Sequence, residues 1–267
     1  MAKTSLKSLL SLVGEAENSS PIADSFLNQL IQSIEKTANK NTYVPSTHYK
    51  PSSMNCIRNM YYQQMRTPLD KDIKSYNLIA IGESGTDRHE RIQCAVAQMR
   101  ENGFDCDYVD VAQYIKQQQE MGNLCDIVIK GKRGVETQLY NAALDLSFLC
   151  DGIICFKGKY YILEIKTEAS KKWINRKDVD EAHQRQATAY SISLGIDDVL
   201  FIYENRDICE KKAFMYHVSD KQKEKLICLI QTCDEYLDMC IVPPKPLNIT
   251  NKICQYCAYR SKCRKDN

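Results

Sequence analysis

The stretch 146–167, LSFLCDGIICFKGKYYILEIKT, decides how the middle of this chain folds. Two apolar runs rich in Ile, Leu, Phe and Tyr flank Lys157-Gly158, and such runs on either side of a glycine-containing turn are typical of a β-hairpin. We therefore predict strands at 145–156 and 159–167, joined by a tight turn.

Polar residues interrupt or end the two apolar runs of this hairpin. Side chains alternate between the two faces of a strand, so Glu164 and Lys166 share one face while Ile165 points the other way. With a two-residue turn, Asp151 lies opposite Glu164 on the same face, and a four-residue loop keeps that pairing. A three-residue loop without a bulge would instead put the two carboxylates on opposite faces.

The rest of the chain alternates helical and strand patterns around the hairpin. Strands are predicted at 123–130, 134–140, 198–204 and 211–218, and helices at 1–38, 53–66, 82–102, 178–194 and 219–240. This order predicts an α/β fold with a mixed central sheet flanked by helices.

The composition is that of an ordinary globular protein. Of the 267 residues, 43% are hydrophobic and 26% are charged, which excludes wholesale disorder and collagen-like order. Lys and Arg total 36 against 34 Asp and Glu, so any basic surface for nucleic acid must be local. No apolar run approaches the ~20 residues that span a bilayer, and Glu15 ends the N-terminal apolar patch too early for a secretory signal. We expect a cytoplasmic protein without a membrane partner.

The paired carboxylates of the hairpin indicate a cation between them. Asp151 and Glu164 would repel each other unless one is protonated or a divalent cation neutralises both. Mg²⁺ and Mn²⁺ prefer oxygen ligands, keep waters and phosphate oxygens in their shell, and lower the pKa of a bound water. Lys166 could orient or deprotonate that water, or neutralise a phosphate. The alternative is an ordinary strand that ends in a surface Glu-Lys pair, with Asp151 in a turn.

The spacing D-x12-E-x-K across the hairpin resembles the core of PD-(D/E)XK nucleases, which have a restriction-endonuclease-like fold. Two further motifs resemble the RecB-like exonuclease branch of that superfamily. His89 lies on the core-facing stripe of the predicted helix 82–102, and Gln186-x-x-x-Tyr190 places two polar side chains on one face of a later helix. A structural core histidine and a chance Gln-Tyr pair are the alternatives.

The resemblance implies a role for each of these residues. The metal ligands would be His89, Asp151, Glu164 and the main-chain carbonyl of Ile165. The catalytic residues would be Asp151, Glu164, Lys166, Gln186 and Tyr190. In this scheme Lys166 positions or activates the attacking water, and Gln186 and Tyr190 order the site. Glu136, on a predicted strand before the hairpin, resembles an acidic residue that is frequent in this branch, and simple pairing with a nearby basic side chain is the alternative.

Cysteine is the anomaly of the composition, with thirteen residues. In the reducing compartment expected here, clustered cysteines indicate metal or redox chemistry before disulfides. The tail Cys254-x2-Cys257-x5-Cys263 supplies three soft ligands within ten residues, and Cys56 is the candidate for a fourth.

Cys56 stands in a P-S-x-x-x-C-x-R segment that resembles the N-terminal motif of RecB-like nucleases with an iron–sulfur cluster, among them CRISPR-adaptation-associated and phage enzymes. The resemblance implies a 4Fe–4S cluster held by Cys56, Cys254, Cys257 and Cys263, which would join the two ends of the chain. Four thiolates are equally compatible with Zn²⁺, and free thiols remain an alternative. Four other cysteines at apolar positions are expected to be small buried hydrophobes: Cys94, Cys150, Cys155 and Cys228.

A basic cluster follows the E-x-K strand and is the best candidate for a DNA contact. Its residues are Lys171, Lys172, Trp173, Arg176 and Lys177. Cations of this kind bind phosphate backbones without sequence preference, and an exposed tryptophan among them could stack on an unpaired base. The alternative is an ordinary solvated face.

The resemblance implies a metal-dependent deoxyribonuclease. We expect an exonuclease that acts on single-stranded DNA or DNA ends in recombination, DNA processing or CRISPR spacer acquisition, with a recombination or CRISPR-adaptation protein as partner, in a bacterial, archaeal or phage-infected cell. Four segments are expected: a helical extension and linker at 1–50, a cysteine-bearing helical segment at 51–77, the nuclease core at 78–245 and the cysteine-rich end at 246–267. A structure-specific endonuclease and a non-catalytic DNA-binding scaffold are the alternatives.

Overall fold

The computed structural model describes residues 20–40, 47–70, 75–246, 254–255 and 257–266. The chain divides into two compact units, Met1–Tyr43 with Ile73–Glu83, and Val44–Asp72 with Ser84–Asn267. In the first unit, helix α1 (Pro21–Lys40) contacts the start of helix α3 (Tyr76–Ala97), where the Tyr76 N–H donates to Glu35 Oε1 at 2.7 Å. The first nineteen residues of the predicted helix 1–38 lie outside the described part of the chain.

The second unit contains both sheets and the remaining helices. Its strands are β1 (Cys106–Val109), β2 (Ile127–Arg133), β3 (Glu136–Asn141), β4 (Leu146–Cys150), β5 (Gly152–Phe156), β6 (Lys159–Glu168), β7 (Asp198–Asn205) and β8 (Lys211–His217). Its α-helices, besides the continuation of α3, are α2 (Ile57–Gln64), α4 (Val111–Glu120), α5 (Ser170–Ile174), α6 (Glu181–Leu194), α7 (Asp220–Asp238) and α8 (Arg260–Lys265). Two short 3₁₀ helices lie at Pro51–Ser53 and Ala142–Leu144.

The main sheet has five strands in the order β1-β5-β6-β7-β8, and a second sheet has the order β2-β3-β4. The pair β6-β7 is parallel and every other pair is antiparallel. The predicted α/β class, with a mixed central sheet flanked by helices, is therefore confirmed. None of the helices in the described ranges combines the length and apolar character needed to cross a membrane.

The hairpin forms with the predicted two-residue turn. Phe156 pairs with Lys159 and Gly152 pairs with Leu163, which is the register that directs Asp151 and Glu164 to one face. Lys157 and Gly158 both have positive φ angles, 51° and 76°, as a type I′ turn requires.

The predicted strand 145–156 is wrong as a single element. The segment forms two strands, and they belong to different sheets: Cys150 pairs with Thr137 in the second sheet, whereas Gly152 pairs with Leu163 in the main sheet. Asp151 is the single residue between them. The sequence pattern does not reveal this change, because apolar residues of strand type continue on both sides of Asp151.

The predicted helix 82–102 begins six residues earlier and ends five residues earlier, as Tyr76–Ala97. The predicted helix 53–66 is shorter, Ile57–Gln64, and Cys56 precedes it as the N-cap residue. Strand β1 and helix α4, between 102 and 123, were not predicted, since their apolar positions are few and show no sustained period.

Helices α3 and α6 cover opposite faces of the main sheet. Ile92 and Val96 of α3 pack in a cluster with Leu163 and Ile165, whereas Tyr190 of α6 packs in the larger core that includes Ile162 and Phe201. Because side chains alternate along β6, Glu164 faces α6 together with Ile162. Candidate site residues therefore come from two helices, α3 and α6, which lie on opposite faces of the main sheet.

Candidate metal centre and cysteine pocket

Asp151 lies where the chain leaves one sheet and enters the other, and its side chain is 7% exposed. Its Oδ2 accepts a hydrogen bond from the main-chain N–H of Ile165 at 2.7 Å. That N–H belongs to β6, so the hydrogen bond fixes the Asp151 carboxylate beside the E-x-K segment.

His89 and Glu136 complete a group of three candidate metal ligands with Asp151. Their ligand atoms all lie within 4.8 Å of one another. His89 Nδ1 is 3.4 Å from Asp151 Oδ1 and 3.9 Å from Glu136 Oε1. An imidazole nitrogen and carboxylate oxygens at this spacing are a donor set that suits a divalent cation.

The protonation of His89 is set by its carboxylate neighbours. Burial alone lowers its pKa, but hydrogen bonding to Asp151 and the negative charge of that residue and of Glu164 outweigh burial, so the pKa is raised. A metal ion needs the neutral imidazole, so a proton and a cation would compete for this position.

Glu164 is a buried carboxylate with an unpaired oxygen. Its Oε1 accepts a hydrogen bond from Lys166 Nζ, while Oε2 is buried without a hydrogen-bond partner within the described residues. Burial raises the pKa of Glu164 to about 7; the Lys166 ammonium opposes this rise and Asp151 adds to it. A buried acceptor without a partner is unfavourable unless an ion or a water satisfies it, so this oxygen is a further candidate ligand.

Lys166 connects the E-x-K strand to the Q-x-x-x-Y helix. Its Nζ donates to Glu164 Oε1 and, at 2.9 Å, to Gln186 Oε1. The Gln186 amide then donates to the Tyr190 hydroxyl at 2.5 Å. Burial keeps the pKa of Tyr190 well above its usual value, so this hydroxyl stays neutral, and its ring stacks on Phe148.

The structure thus brings together six residues that the sequence assigned to the site: His89, Asp151, Glu164, Lys166, Gln186 and Tyr190. Glu136, noted only as a frequent acidic position, joins the group directly. For Ile165 the main-chain N–H contacts Asp151, and the metal role of its carbonyl stays a prediction.

The basic cluster after β6 differs from the prediction. Trp173 is 8% exposed and donates its indole N–H to the Tyr203 carbonyl at 3.0 Å, so it cannot stack on a base. Arg176 donates twice to Glu168, at 2.6 and 2.7 Å, and Lys172 pairs with the same carboxylate. Glu168 and Asp180, which also lies 3.4 and 3.5 Å from these cations, together neutralise both of them, which the sequence pattern did not indicate. Lys171 and Lys177 are exposed and remain candidate phosphate contacts.

The four predicted cluster cysteines line one cavity. Cys56, Cys254, Cys257 and Cys263 surround a volume of about 460 Å³, together with the cationic side chains Arg58, Lys245, Arg260 and Arg264. Burial raises the pKa values of Cys56 and Cys257. The negative charges of the other pocket cysteines raise both pKa values further. All thirteen cysteines are free, and Cys94 and Cys228 are exposed, contrary to the prediction that they are buried.

The spacing of the four sulfur atoms bears on what they could hold. A tetrahedral zinc site with Zn–S bonds near 2.3 Å sets its sulfurs about 3.8 Å apart. Within the described residues, the only three His, Cys, Asp or Glu ligand atoms that lie within 4.8 Å of one another are those of His89, Glu136 and Asp151. No three of these cysteine sulfurs lie within 4.8 Å of one another, and four thiols around one cavity suit either a zinc ion or a larger thiolate-bound group.

Two side chains of α2 donate hydrogen bonds to these sulfurs. Arg58 contacts Cys263 Sγ at 3.4 Å, and the Asn59 amide contacts Cys257 Sγ at 3.9 Å. Arg58 is itself buried and also donates to the carbonyls of Pro243 and Cys263, at 2.7 and 3.1 Å. Donors of this kind favour the thiolate form that metal ligation requires.

Comparisons with known proteins do not identify the function of this site. No protein-family model and no curated protein matches this chain. A solved structure described as the crystal structure of SSO0001 resembles it with 13% sequence identity and a TM-score of 0.45, over 90% of this chain and 98% of that one. A similarity at that level says nothing about function.

Proposed function

We propose that this protein is a metal-dependent DNA nuclease of the RecB-like type. The observation that carries the proposal is the buried Glu164 carboxylate, with its unpaired oxygen, beside the cluster of His89, Glu136 and Asp151. A group of three carboxylates and one histidine, two of the carboxylates buried, is electrostatically unfavourable without a cation, and hard oxygen ligands favour Mg²⁺ or Mn²⁺.

His89, Asp151 and Glu164 would hold the cation, with Glu136 as a further ligand. When bound, a divalent cation lowers the pKa of a water and stabilises negative charge that develops on a phosphoryl group. Glu164 and His89 must both give up protons to serve, so we expect binding to release protons near neutral pH.

Lys166 is the residue that we propose orients the attacking water. Its side chain is 19% exposed, and its ammonium group is fixed from two sides, by Glu164 and by Gln186. A cation fixed in this way can orient a water by hydrogen bonding and can hold a negative phosphate oxygen in place. Tyr190 fixes Gln186 in turn, so the Q-x-x-x-Y helix determines where the Lys166 amine points.

The proposed substrate is DNA, as single strands or duplex ends, and the proposed products carry 5′-phosphate and 3′-hydroxyl groups. The exposed Lys171 and Lys177 are the parts of the predicted basic cluster that support a backbone contact. No base-reading motif stands out in the sequence, so we expect little sequence preference. Recombination, DNA processing and CRISPR spacer acquisition are the settings we propose.

We propose a 4Fe–4S cluster in the cysteine pocket, with a structural role. Cys56 precedes the nuclease core and the other three cysteines follow it, so the cluster would tie α2 to the C-terminal end. Four cysteines around one 460 Å³ cavity support this group, and Zn²⁺ is the alternative that the same thiolates could hold.

The test is DNA cleavage with Mn²⁺ by the full chain and by Lys166→Ala. Cleavage that requires the metal and falls at least a hundredfold in Lys166→Ala supports the proposal. Lys116→Ala, which removes an exposed lysine of α4, is the matched control and should cleave at the original rate. Absence of cleavage on every DNA form would instead favour the scaffold alternative.

A circular single-stranded substrate separates the two nuclease alternatives. An obligate exonuclease needs an end and leaves the circle intact, whereas an endonuclease linearises it. We expect the circle to persist while a linear strand of the same sequence is degraded.

A further inference from the structure

The main-chain carbonyl of Asp151 is bound by two side chains from outside the hairpin. The Gln93 amide of α3 donates to it at 2.7 Å, and the Tyr108 hydroxyl of β1 donates to it at 2.6 Å. Gln93 is 1% exposed, so this buried amide has no access to solvent. Neither residue was singled out by the sequence; β1, which carries Tyr108, was not predicted at all.

This arrangement replaces the pairing that a regular ladder would provide. The residue pairs between β3 and β4 end at Cys150, and those between β5 and β6 begin at Gly152. Asp151 is therefore paired in neither sheet. The N–H of Ile165 donates to the Asp151 side chain. The carbonyl of Asp151 therefore needs another donor, since a buried acceptor without one is strongly disfavoured. Gln93 and Tyr108 supply two.

Helix α3 contacts both the side-chain carboxylate and the main-chain carbonyl of Asp151. His89 lies 3.4 Å from the carboxylate, and Gln93 lies four residues further along the same helix face and binds the carbonyl. A rotation of the Asp151 main chain would break the Gln93 contact and move the carboxylate away from His89. The two contacts thus define one orientation of this residue.

Gly152 allows Tyr108 to reach the carbonyl. A Cβ atom at position 152 would lie 2.7 Å from the Tyr108 hydroxyl oxygen and from its ring, a separation that requires the ring to move. The absence of a side chain directly after Asp151 therefore admits the donor.

We propose that Gln93 and Tyr108 are positioning residues that fix the main chain of Asp151 and thereby direct its carboxylate toward His89 and Glu136. This inference rests on the proposed function, because it concerns the same metal ligands. Groups that orient metal ligands typically change metal affinity by about 10- to 100-fold. Gln93 and Tyr108 would change metal affinity in this way without being metal ligands themselves.

The experiment measures Mn²⁺ binding to the full chain by electron paramagnetic resonance at 10 °C, with circular dichroism to establish that each variant is folded. Tyr108→Phe removes only the hydroxyl and keeps the ring, and Gln93→Leu removes the amide at similar size. Each variant should bind Mn²⁺ about tenfold more weakly than the original protein. Cleavage at saturating Mn²⁺ should recover toward the original rate, because a loss of affinity is overcome by concentration and a loss of folding is not.

Gln98→Leu is the matched control, since Gln98 is exposed just beyond the end of α3. Its Mn²⁺ affinity should be unchanged. If Gln93→Leu does not fold, Tyr108→Phe decides the matter alone.

Two results would overturn the proposal, and they differ. If the original protein binds Mn²⁺ and cleaves DNA, and both folded variants bind it within twofold of the original, the positioning role is wrong while the proposed function stands. If the original protein binds no Mn²⁺ at all, the proposed function fails and the positioning role fails with it.

Discussion

The carboxylate of Glu164 is the buried charge around which the candidate site is arranged. One of its oxygens accepts from Lys166 and the other is buried without a partner in the described part of the chain. Burial raises its pKa to about 7, so near neutral pH the metal-free protein exchanges a proton here. A cation would reverse this preference, because it interacts only with the ionised form.

The metal-free protein should lose stability as the pH rises from about 5 to 7.5. The folded-state pKa of Glu164, about 7, lies above the ordinary 4.5, so the protonated form stabilises the folded protein, and that contribution is lost as the pH passes through 7. The change corresponds to at most about 3 kcal/mol at 1.36 kcal/mol per pKa unit. His89, whose pKa is also raised, contributes with the same sign.

Urea unfolding in the presence of a chelator, repeated across this pH range, measures the effect. Glu164→Gln should flatten most of the decline, and saturating Mn²⁺ should remove it in the original protein. A metal-free protein whose unfolding free energy is constant from pH 5 to 7.5 would contradict the assignment of Glu164.

Gly152→Ala should damage both stability and metal binding. The added Cβ would lie 2.7 Å from the Tyr108 side chain, and overpacking of this kind costs about 1–3 kcal/mol. Displacement of Tyr108 also removes a donor to the Asp151 carbonyl. Thermal unfolding and Mn²⁺ titration measure the two effects. Gly82→Ala, where a Cβ meets nothing within 4 Å, is the control and should leave both unchanged or slightly raise stability.

Among the elements, α2 links the cysteine pocket to the rest of the second unit. Arg58 projects from it to the carbonyls of Pro243 and Cys263, and the Tyr62 hydroxyl donates to Asp266 at 2.9 Å. The preceding segment carries Asn55, which accepts from Arg185 at 3.0 Å on the helix that also bears Gln186. The two candidate sites are thus connected through packed secondary structure and not through a flexible linker.

Arg58→Met should loosen the C-terminal cysteine segment. The substitution removes buried charged hydrogen bonds and leaves the Pro243 and Cys263 carbonyls unsatisfied, a loss of about 3 kcal/mol or more. Iron content per chain after anaerobic purification, and thermal unfolding, measure the result. Arg100→Met is the control, because the Arg100 ion pair with Asp107 is exposed and therefore contributes little to stability. Equal iron content and stability in both variants would rule out a role for Arg58 at the cysteine pocket.

Over the whole second unit, the cysteine pocket joins residues that are about 200 positions apart in the chain. A bond network across such a separation restricts the unfolded chain, and loop-closure entropy sets an upper limit of roughly 5 kcal/mol on the resulting stabilisation. Both sheets lie between the joined segments, so their cooperative unfolding should depend on the pocket being filled.

Cys257→Ala should therefore lower the melting temperature and expose the C-terminal segment to protease. Loss of visible absorbance and of iron should accompany both effects, because one of four ligands is missing. Cys228→Ala is the matched control, since Cys228 is exposed and lies outside the pocket. Retained iron and an unchanged proteolysis pattern in Cys257→Ala would contradict the four-cysteine assignment.

The elements that were predicted correctly have a strong local period. The hairpin register followed from alternation plus the Lys157-Gly158 turn, and Gln186 and Tyr190 share a helix face because they lie four residues apart. Strand β1 escaped prediction because it is four residues long and only partly buried. The start of α3 was placed six residues too late, past Ser75, a residue type that is favoured at helix N-caps.

Residue type and spacing indicated two carboxylates and an amine on one face of the hairpin, because side-chain direction along a strand depends on neighbouring residues alone. The roles of His89 and of the four cysteines came from the resemblance to known nucleases and not from local geometry. The sheet change at Asp151, the capture of its carbonyl by Gln93 and Tyr108, the burial of Trp173 and the neutralisation of Arg176 by Glu168 depend on the folded chain. Each arises from a contact between segments that are distant in sequence or from the desolvation of a charge. Neither cause produces a periodic pattern of residues from which it could be predicted.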